Sequence, residues 1–373
     1  MSGSAVVTPI APRRQADRFL VPDVARGVAI IAMLIAHAGP VMTDQPFATV
    51  FVQGQLNDLA SPLFATTMGA AAAIVLAKAG TPSAARAVVG QNLIRGLILV
   101  LLGVLLSTWG SWIAIVLSFL GIVLMIGTPL VLLRTRILVV VLGAVVLISA
   151  PLNTAVLVAA GPLPGTDPSV GQLLLEWLFL SPHYRVTNLL PWFLFGALLF
   201  RIRFGGVRAA GIMLAIAVPA WWLGPLWRGA TNEAFSPSGS YLDTLHDTGL
   251  VLATWAVIVL LAAIRRPPWS RIVRGGFLPL RAIGSVSLSL YVFQVGVVAL
   301  MNANGITFGS TDWVAWLVLV LGVPIVGVLW WRFVGKGPIE WGIGIVSGRY
   351  RPRRTTGVSA ASTAEAPADD RAP

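Results

Sequence analysis

His37 closes the first apolar run of the chain, and Asp58 opens the second. An imidazole exchanges a proton near neutral pH with little perturbation, and a carboxylate beside it can orient it as a general base. At about 1.5 Å per residue from Leu20, His37 lies about 26 Å along a helix, near the far edge of a hydrocarbon layer. Two runs joined by a short loop lie side by side, so the sequence predicts that His37 and Asp58 meet. Each also has a plainer role: an interfacial imidazole bonded to a carbonyl, and a carboxylate capping free amides at a helix start. A second constellation, Asp243-Thr-Leu-His246-Asp247, puts a carboxylate and an imidazole on neighbouring positions of one helical face. It predicts acceptor binding or a second acid–base pair, against the plainer reading of an N-terminal cap with a solvated histidine. His183-Tyr184-Arg185 is expected at the same outer vestibule.

Arg18, Asp23 and Arg26 stand at the opposite end of the first run, and Arg95 enters the third near the same surface. Guanidinium forks suit phosphate oxygens, so this cluster is expected to hold the phosphates of a soluble anionic cofactor. A local Asp23–Arg26 pair with snorkelling side chains is the alternative. Cysteine is absent, which excludes thiolate chemistry, disulfides and Cys-built metal sites. The three histidines have no ligand spacing, so no metal is expected.

The elements that must position these groups are membrane helices. Hydrophobic residues make up 57% of the 373 and charged residues 11%, with a mean hydropathy of +0.85. A water-soluble domain does not have that composition. A bilayer core takes about 20 apolar residues per helix. About ten such stretches fall near 20–42, 56–77, 90–107, 110–133, 137–159, 187–200, 206–225, 245–264, 280–301 and 313–331. The sixth is short and the fifth contains Pro151, which leaves nine or eleven as alternatives. The expected fold class is an all-α polytopic bundle: a tail over 1–19, a transmembrane domain over 20–345 and a disordered tail over 346–373. The first run is too long and too interrupted by charge for a cleaved signal peptide. Outer loops of about 160–186 and 226–244 are long enough to shape a site.

The basic residues cluster in the tails and after even-numbered runs: Lys78 and Arg86, Arg134 and Arg136, Arg201 to Arg208, Arg265 to Arg274, then Lys336 onward. Only Arg185 and Arg228 fall in the other turns. The positive-inside rule then puts both termini in the cytoplasm of a cell whose inner (plasma) membrane the chain crosses. The net charge of +12 reflects this sorting and anionic lipid, and no nucleic-acid role is expected. Asp44, Asp58, Asp167, Glu176, Glu233, Asp243, Asp247 and Asp312, with all three histidines, fall on or near the outer side. Trp109, Trp112, Trp221, Trp222 and Trp227 are expected in interfacial belts.

Asp23-Val-Ala-Arg26-Gly27, followed by Asp58-Leu-x-x-Pro62-x-Phe64 and Met68-Gly69, resembles the heparan-α-glucosaminide N-acetyltransferase-like membrane proteins. The first helix, with Asp/Arg-Gly and a terminal histidine, is similar to the acyltransferase-3 family. Arg281-Ala-Ile-Gly284 through Tyr291, and Gly337-Pro338-Ile-Glu340-Trp341, resemble the closing region of YeiB-like bacterial membrane proteins. The resemblance implies an acyltransferase that takes an acyl group, acetyl above all, from cytoplasmic acetyl-CoA or another acyl-CoA. The acceptor would be a hydroxyl or amine of an extracytoplasmic glycan or glycolipid. Asp58, Asp23 and Arg26 match family motif positions. The acetyltransferase relatives carry a histidine in the loop between the first two helices, which this sequence lacks, so His37 or another outer histidine must serve. Direct transfer is preferred over an acyl-enzyme, and a homo-oligomer is left open. The rival class is a transporter or flippase of envelope glycolipids or sugars, for which buried charge serves equally; a scaffold for envelope assembly is a third, weaker reading.

Overall fold

Hydrocarbon offers backbone amides no partner, so apolar segments of this composition must close their hydrogen bonds within helices. The computed structural model describes residues 13–161, 169–202, 206–231 and 238–348, and among these there is no strand. The helices are α1 (Arg13–Ala38), α2 (Phe47–Lys78), α3 (Pro82–Ser107), α4 (Leu117–Leu130), α5 (Thr135–Ala160), α6 (Val170–Leu175), α7 (Val186–Arg201), α8 (Val207–Thr231), α9 (Tyr241–Ala263), α10 (Trp269–Ser285), α11 (Ser287–Ala303), α12 (Trp313–Leu317), α13 (Val323–Phe333) and α14 (Pro338–Val346). π-helical turns extend α6 to Leu180 and join α12 to α13.

Seven described stretches are long and apolar enough to span a bilayer: Leu20–Val41, α2, α3, α5, Val207–Trp227, α9 and Trp313–Phe333. Only 17% of the most apolar windows of α3 and α5 is buried inside the protein, so their outer faces need lipid around them. The protein is an all-α, multi-pass membrane bundle.

Length and composition support seven of the expected ten spans, or eight if the bent α10–α11 pair is one, and three local features account for the difference. Residues 110–116 are irregular, which leaves α4 with 14 residues, about 21 Å against a hydrocarbon core of about 30 Å. α7 has 16 residues and is likewise short. The stretch expected as one helix over 280–301 is broken: α10 starts at Trp269, and α10 and α11 meet at an angle of 74°. α5, by contrast, runs unbroken through Pro151. α1 begins inside the expected tail, at Arg13; residues 1–12 and 349–373 lie outside the described residues.

A helix break leaves the first amides of the new helix without acceptors. Here Glu340 of α14 supplies them: Leu288 and Ser289 donate their backbone N–H to Oε1 at 2.7 and 3.2 Å, and the Ser289 hydroxyl donates to Oε2. Arg281–Tyr291 and Gly337–Trp341, far apart in the chain, are thus one structural unit.

The core is built around α2 and α7. Gly69 and Gly196 sit where the two helices touch, and a methyl group on either would collide with the Phe193 or the Thr66 carbonyl. Small residues at such crossings let backbones approach closely in a membrane, where helix packing carries the association. Gly27 and Gly284 do the same between α1 and α10, against Leu280 and Asp23. Gly69→Ala and Gly196→Ala are therefore expected to cost the monodisperse peak in size-exclusion chromatography of the detergent-solubilised protein. Normal profiles for both would contradict this packing.

Candidate functional site at the meeting of two cavities

α2 carries a stripe of residues spaced three or four apart: Asp58, Ser61, Phe64, Met68, Ala71, Val75 and Lys78. That spacing keeps them on one face, and twenty residues span about 30 Å, the thickness of a hydrocarbon core. Every one of them lines a cavity.

The cavity at the basic end has a volume of about 580 Å³. Its mouth holds Arg26, Lys78, Arg95 and Lys336 with Asp23 and Glu340, and its shaft is apolar, with Ile30, Met33, Phe64, Met68, Leu117 and Leu120. Glu340 is occupied in capping α11. The irregular segment before α4 contributes Val116, whose N–H donates to the Tyr291 hydroxyl at 3.2 Å. Non-helical backbone at depth is tolerated where it lines such a cavity. Of the predicted cofactor residues, Asp23, Arg26 and Arg95 all line this mouth. The backbone of Arg18 belongs to α1, but its side chain lies outside the described residues.

The cavity at the acidic end has a volume of about 400 Å³ and is mostly polar. Asp58, Asp243, His246 and Asp247 line it together with Gln55, Asn57 and His183. His246 Nε2 stands 3.7 Å from Asp58 Oδ2. Its Nδ1 lies 3.5 Å from the Trp221 carbonyl, so the ring stands between two acceptors, that carbonyl and the Asp58 carboxylate. The Trp221 ring stacks on the imidazole at 6.1 Å between centroids, and its Nε1 donates to Gln55 Oε1 at 2.6 Å.

The predicted His37–Asp58 pair is not formed. α2 begins at Phe47, so Asp58 stands eleven residues inside a helix, neither at its start nor on a tight hairpin. It faces α9 and His246. His37 ends α1 as expected, but its Nδ1 is 3.0 Å from the amide of the fully buried Gln294 on α11, and its carbonyl accepts from Trp112 Nε1 at 3.3 Å. It lines neither cavity.

Asp243 stands in the first turn of α9 and in the cavity as well, while the cap itself is Ser240. Ser240 Oγ accepts from the Asp243 N–H at 3.1 Å, and Asp243 Oδ2 accepts from Gly239 N–H at 2.7 Å. These two bonds fix the start of α9 and hence His246 one turn later. Arg185 ties the two rims together, donating from Nε to Ser181 O and from Nη1 to Ser238 O, both at 2.9 Å. Burial lowers the affinity of its guanidinium for the proton, and the Asp243 carboxylate opposes that shift. Trp221, expected in an interfacial belt, packs against His246 and Gln55 from behind the cavity lining.

The sequence reading passed over Ser61 as a site residue, as it did the Lys78 and Lys336 ammonium groups. Ser61 had a signal, one turn beyond Asp58 on the same face; Lys336 had none, because a long separation in sequence brings it to the mouth.

The fold and its paired cavities define a membrane protein with a basic chamber at one end and an acidic, imidazole-bearing chamber at the other. Residues 203–343, less than half of the chain, match a protein family described as a protein of unknown function, DUF418. Both motifs behind the YeiB-like resemblance fall within that span, as do Asp243, His246 and Asp247, whereas Asp58, Arg26 and Arg95 precede it. No curated protein and no solved structure matches the chain. Replacing Arg185 by Met is expected to lower stability by about 1–2 kcal/mol, because charged donors to two rim carbonyls are lost. Thermal unfolding in detergent measures it, and an unchanged midpoint would show that the rims are held otherwise.

Proposed function

We propose that the protein is a membrane acyltransferase of the cell envelope, taking an acyl group from acyl-CoA, with acetyl-CoA the first donor to test. The supporting observation is the pair of cavities at opposite ends of one helix stripe, cationic and apolar at one end, acidic and polar at the other. Arg26, Lys78, Arg95 and Lys336 would hold the phosphates at the cytoplasmic mouth, and the apolar shaft would take the pantetheine arm and acyl group. The polar chamber suits an acceptor rich in hydroxyls or amines, a glycan or glycolipid at the far face of the plasma membrane.

In this reading His246, in place of His37, is the general base. With the ring proton on Nδ1, toward the Trp221 carbonyl, Nε2 takes the proton of the acceptor, and Asp58 stabilises the imidazolium that forms. Asp243 and Asp247 would bind the acceptor. His37 with Gln294 holds α1 against α11.

The test is purified protein incubated with radiolabelled acetyl-CoA and envelope extract, followed by identification of the product. A labelled glycan or glycolipid is the expected result. Substrate movement into vesicles without acyl-CoA would favour a transporter. His246→Ala and Asp58→Ala should each lower kcat by about 10²- to 10⁴-fold, the usual contribution of a positioned base. His37→Ala should keep turnover within about tenfold, and a dead His37→Ala of normal fold would return the base to α1. Arg26→Ala and Arg95→Ala should raise KM for acetyl-CoA about tenfold each with kcat little changed, as loss of uniform binding requires.

A further inference from the structure

Ser61 and Tyr184 are the two residues common to both cavity walls. Several hydroxyls in this protein are spent on their own helices: Thr66, Thr67, Ser149, Thr154, Thr248 and Ser285 each donate to a carbonyl three or four residues back. Ser61 and Tyr184 make no hydrogen bond among the described residues, and neither hydroxyl is sealed from the cavities. Tyr184 is held by the edge of Phe119 at 5.8 Å between centroids. Burial pushes its phenol up to about 12, so it keeps its proton and remains a donor throughout the physiological range. Two uncommitted donors at the junction of two chambers are arranged to serve something that reaches them from either side.

Resting on the acyl-transfer reading, we propose that Ser61 and Tyr184 mark the point where the chambers communicate, and that their hydroxyls hold the carbonyl oxygen of the acyl donor. The acceptor oxygen or nitrogen, entering from the acidic chamber, attacks the thioester carbon and gives its proton to His246 Nε2. The carbonyl electron pair moves onto oxygen, and the two hydroxyls donate to the oxyanion. Its collapse breaks the C–S bond, and the departing coenzyme A thiolate recovers one proton from the imidazolium. The new ester or amide stays in the acidic chamber and the thiol withdraws toward the basic mouth. Preorganised donors aimed at such an oxyanion are typically worth about 10²- to 10³-fold in kcat each.

The absence of cysteine makes the geometric half directly testable. Ser61→Cys becomes the sole thiol, and a charged, membrane-impermeant methanethiosulfonate is applied to vesicles of each orientation. Labelling of Ser61→Cys from both faces is expected, with Leu242→Cys labelled from the acidic face alone and Val75→Cys from the basic face alone. Labelling of Ser61→Cys from one face, or from neither, overturns the junction. For the chemical half, Ser61→Ala and Tyr184→Phe should each lose about 10²-fold or more in kcat with KM for acetyl-CoA within about threefold, and Ser61→Thr, which keeps the hydroxyl, should recover most of it. Variants as active as an active wild type overturn the carbonyl-holding role and leave the acyl-transfer reading standing. A wild type that consumes no acyl-CoA, despite two-sided labelling, removes that reading and the carbonyl-holding role together, leaving a passage only.

Discussion

The close approach of α2 to α7 at Gly69 and Gly196 sets the position of every group along the axis of the protein. Among the described helices α2 alone has a face that lines both cavities, so whatever fixes it laterally fixes Asp58, Ser61, Met68 and Lys78 together. In lipid no hydrophobic force draws these helices together, and backbone contact at glycine supplies the packing that side chains elsewhere would. Two short helices result from this arrangement. α4 and α7 are largely buried against the rest of the bundle, so little of their surface depends on reaching both interfaces.

The broken α10–α11 segment has the same logic at the basic end. A kink of 74° in a membrane helix exposes amides that hydrocarbon cannot satisfy, and Glu340 supplies acceptors from a helix fifty residues later. The mouth gathers four cationic side chains, Arg26, Lys78, Arg95 and Lys336, against two carboxylates, Asp23 and Glu340, and the proposed recognition of phosphates depends on that excess of positive charge.

At the acidic end the decisive exchange is of one histidine for another. A carboxylate on α2 can face α1, α7 or α9 according to its phase around the helix, and sequence proximity favours the wrong choice. The phase that points Asp58 at His246 also points Ser61, one turn further, at the junction of the chambers. His37, left without a carboxylate, satisfies its ring with Gln294 and its carbonyl with Trp112, a structural arrangement inside the bundle.

Composition and hydropathy by themselves determined that this chain is an all-α membrane bundle, since apolar runs of about twenty residues suit membrane helices, which close their backbone hydrogen bonds internally. The sorting of charge was also legible: Asp23, Arg26 and Arg95 meet at one end, Asp58, Asp243 and His246 at the other, because like groups collect at the interface that solvates them. Tertiary structure alone decided which histidine meets Asp58, that Trp221 packs on that histidine, that Lys336 and Glu340 come to the mouth, and that Ser61 and Tyr184 share the junction. Those outcomes depend on the rotation of each helix about its axis and on pairing between segments far apart in sequence. Neither quantity is encoded in local spacing; both emerge only when glycine contacts and buried polar groups are satisfied at once.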